Sequence, residues 1–196
     1  MDTRESLWLA EYRKGDVEAL GKLVEHCRRP LFGFILKMTE GREDADEIFQ
    51  ETWFRAIRSL ETYRDNRFLS WLFRIAHNLI IDRARRAKPV AGLAAPGEDG
   101  DAADPIETRV ADKGIGPSAA ADGRDLGRRI TSAVSRLPPE QRAVFLMRME
   151  GDLPFKDIAR IQGTSINTAL ARMQYALAKL RNELKTDYAD VARVRP

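Results

Sequence analysis

The chain has 196 residues, of which 43% are hydrophobic and 32% charged, and its formal net charge is only +3. That length holds one domain or two small ones, and the composition fits a soluble, helix-rich globular protein. A single cysteine, Cys27, rules out an intramolecular disulfide, the start MDTRESLW lacks a signal-peptide pattern, and no apolar run reaches the ~20 residues of a membrane span, so a cytoplasmic protein is expected.

The mild total charge hides a partition. Residues 1–88 carry 17 Lys/Arg against 15 Asp/Glu, residues 89–126 carry 3 against 8, and residues 127–196 carry 13 against 7. An acidic segment therefore separates two basic blocks.

Ser6 to Lys14 predicts a short helix that Gly15 stops, with Asp16 as N-cap of the next. From Val17, apolar residues keep helical spacing for more than twenty residues, and Pro30 predicts a kink or break inside that span. His26 and Cys27 lie side by side there. As zinc ligands they lack partners, because His77 is the one other histidine, so a partly buried Cys beside a surface His is expected.

After Gly41, the segment from Arg42 to Leu60 opens with Glu43, Asp44, Asp46 and Glu47, where the helix dipole favours negative charge. Ile48, Trp53, Ala56, Ile57 and Leu60 are its expected core positions. Asp46, Gln50, Glu51 and Phe54 then share an exposed surface suited to a basic partner helix, although solvation and the dipole explain the acids equally.

A polar loop over 61–67 leads into the most basic stretch. Tyr63 to Lys88 carries seven cations against two acids, with Tyr63, Phe68, Trp71 and Phe73 threaded among them. Leu72, Ile75, Ala76, Leu79 and Ile80 form a core stripe, while Trp71, Arg74, Asn78, Ile81 and Arg85 fall on another face. A flat ring, an amide and cations together suit a nucleic acid with unstacked bases. The same residues also fit an amphipathic helix with solvated arginines and buried rings, and the stretch alone leaves both readings open.

The order EDADEIFQETWFRAI, a short loop, then FLSWLFRIAHNLIIDRARR resembles region 2 of sigma-70-type RNA polymerase initiation factors, in particular the extracytoplasmic-function (ECF) group. The resemblance covers roughly residues 10–87. It implies that Asp44, Asp46, Glu47, Gln50, Glu51 and Phe54 dock on the clamp coiled coil of core RNA polymerase. It also implies that the basic aromatic helix melts the minus-ten element and captures a flipped base, with Asn78 at the matching position. The implied minus-ten set is Tyr63, Arg64, Arg67 and Phe68, followed by Trp71, Arg74, Asn78 and Arg85.

Residues 89–126, rich in Ala, Gly, Pro and Asp, predict a flexible acidic linker. By the resemblance, Glu98, Asp99, Asp101, Asp104 and Glu107 could mimic phosphates in a polymerase channel; a solvated spacer fits them equally well.

The second block begins near Leu126. A short helix with Ile130, Ala133, Val134 and Leu137 ends at Pro138 and Pro139, and a second runs from Glu140 to Glu150 with Val144, Phe145 and Met147 inward. Gly151 breaks the chain, and Pro154 is placed as the first residue of the next helix. Gly163 and Thr164 form a turn, Ser165 is the expected N-cap of a long closing helix, and Ala159 sits small at the crossing. The pattern is a helix-turn-helix. Preceded by LPPEQRAVFLMRMEGDLPFKDIA, it resembles sigma region 4, which implies minus-thirty-five contacts in the major groove. The implied set is Ser165, Asn167, Thr168 and Leu170, followed by Ala171, Arg172, Gln174 and Tyr175. Leu170 and Ala171 depart from the usual cation and small polar residue, so duplex contact is expected to depend less on salt than is usual in the family.

The expectation is an all-α protein of two small helical domains. Residues 1–88 form a region 2-like bundle and residues 127–196 a region 4-like helix-turn-helix domain, joined by the linker over 89–126. Its implied partners are core RNA polymerase, promoter DNA as duplex and melted strand, and an anti-sigma protein. No catalytic group, cofactor or metal is expected. A free-standing helix-turn-helix regulator would explain only the second block, and a helical adaptor is the third possibility.

Overall fold

A computed structural model describes the backbone of residues 3–39, 41–64, 67–87 and 119–194, and the side chains of 4–39, 41–64, 67–86 and 127–185. The described residues form eight helices: α1 (Thr3–Arg13), α2 (Val17–Met38), α3 (Arg42–Ser59), α4 (Phe68–Ala87), α5 (Ala119–Ser135), α6 (Pro139–Gly151), α7 (Phe155–Gln162) and α8 (Ile166–Val194). The acidic positions 98–107 of the expected linker lie outside the described residues. Residues 119–126, placed in the linker by composition, instead begin α5.

Local signals set most boundaries. Asp16 accepts a hydrogen bond from the Glu18 backbone N–H at 2.9 Å and so starts α2. Pro30 does not break α2, which continues through it to Met38. Pro154 stands one position earlier than expected, as the N-cap of α7. Gly163 ends α7 in the left-handed region at φ 65°, a conformation that side chains with a Cβ resist. The Ser165 hydroxyl then accepts from the Thr168 N–H at 3.0 Å and opens α8.

Helix α2 is the centre of the first half, packed by α1, α3 and α4. Its Leu23, Cys27, Leu31, Phe34 and Ile35 are fully buried, and His26 is half-buried with its ring edge-on to Trp8. In the second half, α5, α6 and α7 pack on α8. Ala159, 3% exposed, lets α7 and α8 approach closely.

The two halves are not separate in this arrangement. α2 packs along α6, and α4 packs on α6 and α7, so one continuous core runs from Phe34 and Phe73 to Val144 and Ile158. Lys37 of α2 pairs with Glu150 of α6, and Arg67 and Ser70 both bond Asp157 of α7.

Candidate nucleic-acid and polymerase interfaces

Helix α3 buries Ala45, Ile48, Thr52, Trp53 and Ala56. Ile57, expected in the core, is 42% exposed; the inward stripe passes to Thr52, whose hydroxyl is satisfied by the Ile48 carbonyl at 2.6 Å. On the opposite side Asp46, Glu47, Gln50 and Phe54 are exposed and Glu51 is half-buried. Phe54 keeps 56% of its surface in solvent, with the Arg58 guanidinium 5.3 Å from its ring centre.

Glu47, Gln50, Glu51 and Phe54 border a groove of about 710 Å³ between α3 and α4, lined on the α4 side by Leu79, Asp82, Arg83 and Arg86. The groove combines an apolar floor with acids and an amide on one wall. Arg83 crosses it to pair with Asp44 and with Glu47, the latter at 2.6 Å. Sequence reasoning did not single out Arg83, because no local spacing links it to acids 36 and 39 residues earlier. The Glu51 carboxylate is held by Arg55 at 2.7 Å and Asp46 lies 3.8 Å from Arg42. The acid wall is thus partly ordered by its own cations.

On α4 the second face is accessible, whereas two residues of the implied minus-ten set are buried. Arg74, Asn78, Ile81 and Arg85 are exposed, and so are Arg64 and Arg67 on the preceding loop. Tyr63 and Phe68, expected among the minus-ten contacts, are 6% and 1% exposed and belong to the core. Their rings meet at 5.6 Å, and Trp71 lies on both, 4.6 Å from Tyr63 and 5.6 Å from Phe68. They brace the half-buried Trp71 from beneath and offer no open face for a base to stack on. Mixed aromatic and basic spacing could not show which rings turn inward.

His77, next to Asn78, is 9% exposed and its Nδ1 has no hydrogen-bond partner. Burial lowers its pKa below 6.5; the Asn78 side chain opposes that shift, Arg172 adds to it, and Glu140 opposes it. This histidine therefore sits where α4 meets the second half.

The cap residue Ser165 is exposed, as are Asn167, Thr168, Leu170, Gln174 and Tyr175 of α8, and Ala171 and Arg172 are half-buried. Arg172 donates to Gln162 Oε1 at 2.9 Å, while Gln162 donates to the Glu140 carbonyl at 3.0 Å. The one cation of this contact set is thus already held by the turn.

The fold and these surfaces define a helical protein with a helix-turn-helix, a basic aromatic helix and a groove with an acidic wall. The sigma-70 region 2 family matches residues 23–90, and the sigma-70 region 4 family matches residues 127–180. The chain is 28% identical over 178 residues to the ECF RNA polymerase sigma factor SigW of Bacillus subtilis, covering 90% of this chain and 95% of that one. It is 33% identical over 178 residues to the ECF RNA polymerase sigma factor SigM of Mycobacterium tuberculosis, covering 88% and 80%. The fold resembles the sigma factor RpoE solved with the anti-sigma factor NepR from Bartonella quintana, with TM-score 0.63, 18% identity and coverage of 87% and 99%. The chain belongs to the ECF group of sigma-70 RNA polymerase sigma factors, factors that direct core polymerase to promoters. Among the described residues no helix is long and apolar enough to cross a membrane.

Proposed function

We infer that the chain divides promoter-directed initiation among three surfaces. The α3–α4 groove docks a basic helix of core polymerase, with Gln50, Glu51 and Phe54 as its centre and Asp44, Asp46 and Glu47 as its acidic border. The α4 face of Trp71, Arg74, Asn78 and Arg85, with Arg64 and Arg67, holds the melted minus-ten strand. The amino-terminal turns of α8 enter the major groove at the minus-thirty-five element, where Asn167 and Gln174 can pair with base edges.

The observation that carries this reading is Phe54, a large ring left 56% exposed beside the charged wall of an open groove. An exposed aromatic flanked by Gln50 and Glu51 offers a contact that excludes water around a charged rim. A free-standing regulator would leave that groove without an occupant.

The protein would work without catalytic chemistry of its own, in the cytoplasm with the polymerase. An anti-sigma protein is a further expected partner, supported by the sigma–anti-sigma complex that the fold resembles. The test is in vitro transcription with purified core polymerase on promoter fragments of the same genome. Gln50→Ala/Glu51→Ala should lose core binding, and Asn78→Ala should keep core binding but melt promoters poorly. A wild-type chain that binds duplex DNA without binding core would refute the assignment.

A further inference from the structure

Asp157 of the second half reaches into the proposed minus-ten surface. It lies in the first turn of α7 and is 1% exposed, a burial at which a carboxylate must be neutralised and hydrogen-bonded. The first half supplies both requirements: the Arg67 guanidinium pairs with one carboxylate oxygen, and the Ser70 hydroxyl donates to the other at 2.9 Å. Arg160 of α7 lies 3.9 Å away. Arg67 and Ser70 flank the amino end of α4, where backbone N–H groups and the helix dipole also favour an anion. A guanidinium and a hydroxyl converging on a planar anion at that position have the donor geometry of a phosphate site.

We propose that Arg67 and Ser70 form a clasp for a DNA backbone phosphate, and that the Asp157 carboxylate occupies this clasp while the two halves are closed. Closure and capture of the melted strand are then mutually exclusive. The Lys37–Glu150 pair between α2 and α6 strengthens closure without touching the clasp. Opening frees the clasp, and occupancy of the clasp by DNA keeps the halves apart. This inference rests on the reading of α4 as the helix that holds the melted strand.

The test uses the full chain and a fluorescein-labelled single-stranded DNA of mixed sequence. Asp157→Asn keeps the shape of the side chain and removes its charge. Small-angle scattering should show a larger radius of gyration, and anisotropy should show roughly tenfold tighter DNA binding, as a competent fraction near one tenth rises towards one. Glu150→Gln, remote from the clasp, should move both readings the same way if Asp157→Asn fails to fold. Ser70→Ala should also expand the chain but gain less affinity, because the phosphate loses a donor too. Asp152→Asn makes the same charge change at an exposed position and should change neither reading.

An unchanged radius and affinity in both Asp157→Asn and Glu150→Gln would overturn the proposal. So would a gain in Ser70→Ala equal to that in Asp157→Asn, an equal gain in Asp152→Asn, or the absence of DNA binding in every variant. Core polymerase pull-down is read separately. Failure of core binding in all variants would count against the docking groove and leave the clasp to be judged by radius and DNA affinity.

Discussion

Gly151 closes α6 directly against Phe73 of α4, and a Cβ added there would stand 2.7 Å from the Phe73 Cζ atom and 3.2 Å from Leu153 Cγ. Phe73 is fully buried and cannot swing away. Gly151→Ala is therefore expected to destabilise the folded chain by about 1–3 kcal/mol through overpacking, read as a lower midpoint in urea. His77 gives a second prediction at this scale. Its pKa is lowered in the fold, chiefly by burial, so the unfolded chain binds a proton that the folded chain does not. Its contribution is fully present above pH 6.5 and is lost as pH falls from there through the lower folded value. The slope from this one residue reaches at most about 1.4 kcal/mol per pH unit. Asn78, Arg172 and Glu140 act on this imidazole. His77→Gln should thus give a shallower fall of stability between neutral and mildly acid pH than wild type. Equal slopes would show that His77 is not the group responsible. Neither residue announced itself in the sequence, where Gly151 reads as a helix stop and His77 as a lone histidine.

At the scale of single helices, much of the architecture was legible because each amphipathic helix carries its own phase. The buried stripe of α4 falls on Leu72, Ala76 and Ile80 as periodicity predicts, and the Ser165 cap opens α8 where the turn chemistry places it. Errors arose where several apolar residues competed for one face. Ile57 is exposed while Thr52, its hydroxyl bonded to the Ile48 carbonyl, is buried, and Tyr63 and Phe68 pack inward against Trp71. Composition also misplaced the start of α5, since Ala-rich sequence serves a linker and a helix equally well. The Ser165 cap is directly testable. Ser165→Ala removes the acceptor for the Thr168 N–H and should cost about 1 kcal/mol. Because the loss falls on the turn that presents Asn167 and Thr168, amide exchange should rise in the first turn of α8 and stay unchanged in α3. Uniform exchange changes across both helices would mean that the cap acts globally.

For the whole molecule, the family pattern separates two domains, whereas the core joins them. The contacts responsible lie far apart in the chain: Arg67 and Asp157 are separated by 90 residues, and Lys37 and Glu150 by 113. Each side chain has an ordinary local explanation, as a loop cation or a helix-end charge, so pattern reading had nothing with which to pair them. The shared core makes a distinct thermodynamic prediction. Trp8, Trp53 and Trp71 are the only tryptophans and all lie in the first 88 residues, so their fluorescence reports unfolding of the first half alone. Far-ultraviolet circular dichroism reports helices of both halves. If α2–α6 and α4–α7 contacts couple the halves, the two signals should give coincident urea transitions in the wild-type chain, as expected of one cooperative unit. Weakening both cross-links with Asp157→Asn/Glu150→Gln should separate the midpoints, because each half then unfolds with its own stability. Coincidence in both proteins would place the coupling in the apolar contacts around Phe73 and Gly151. Separation already in the wild type would mean that the shared core contributes too little to hold the halves as one unit.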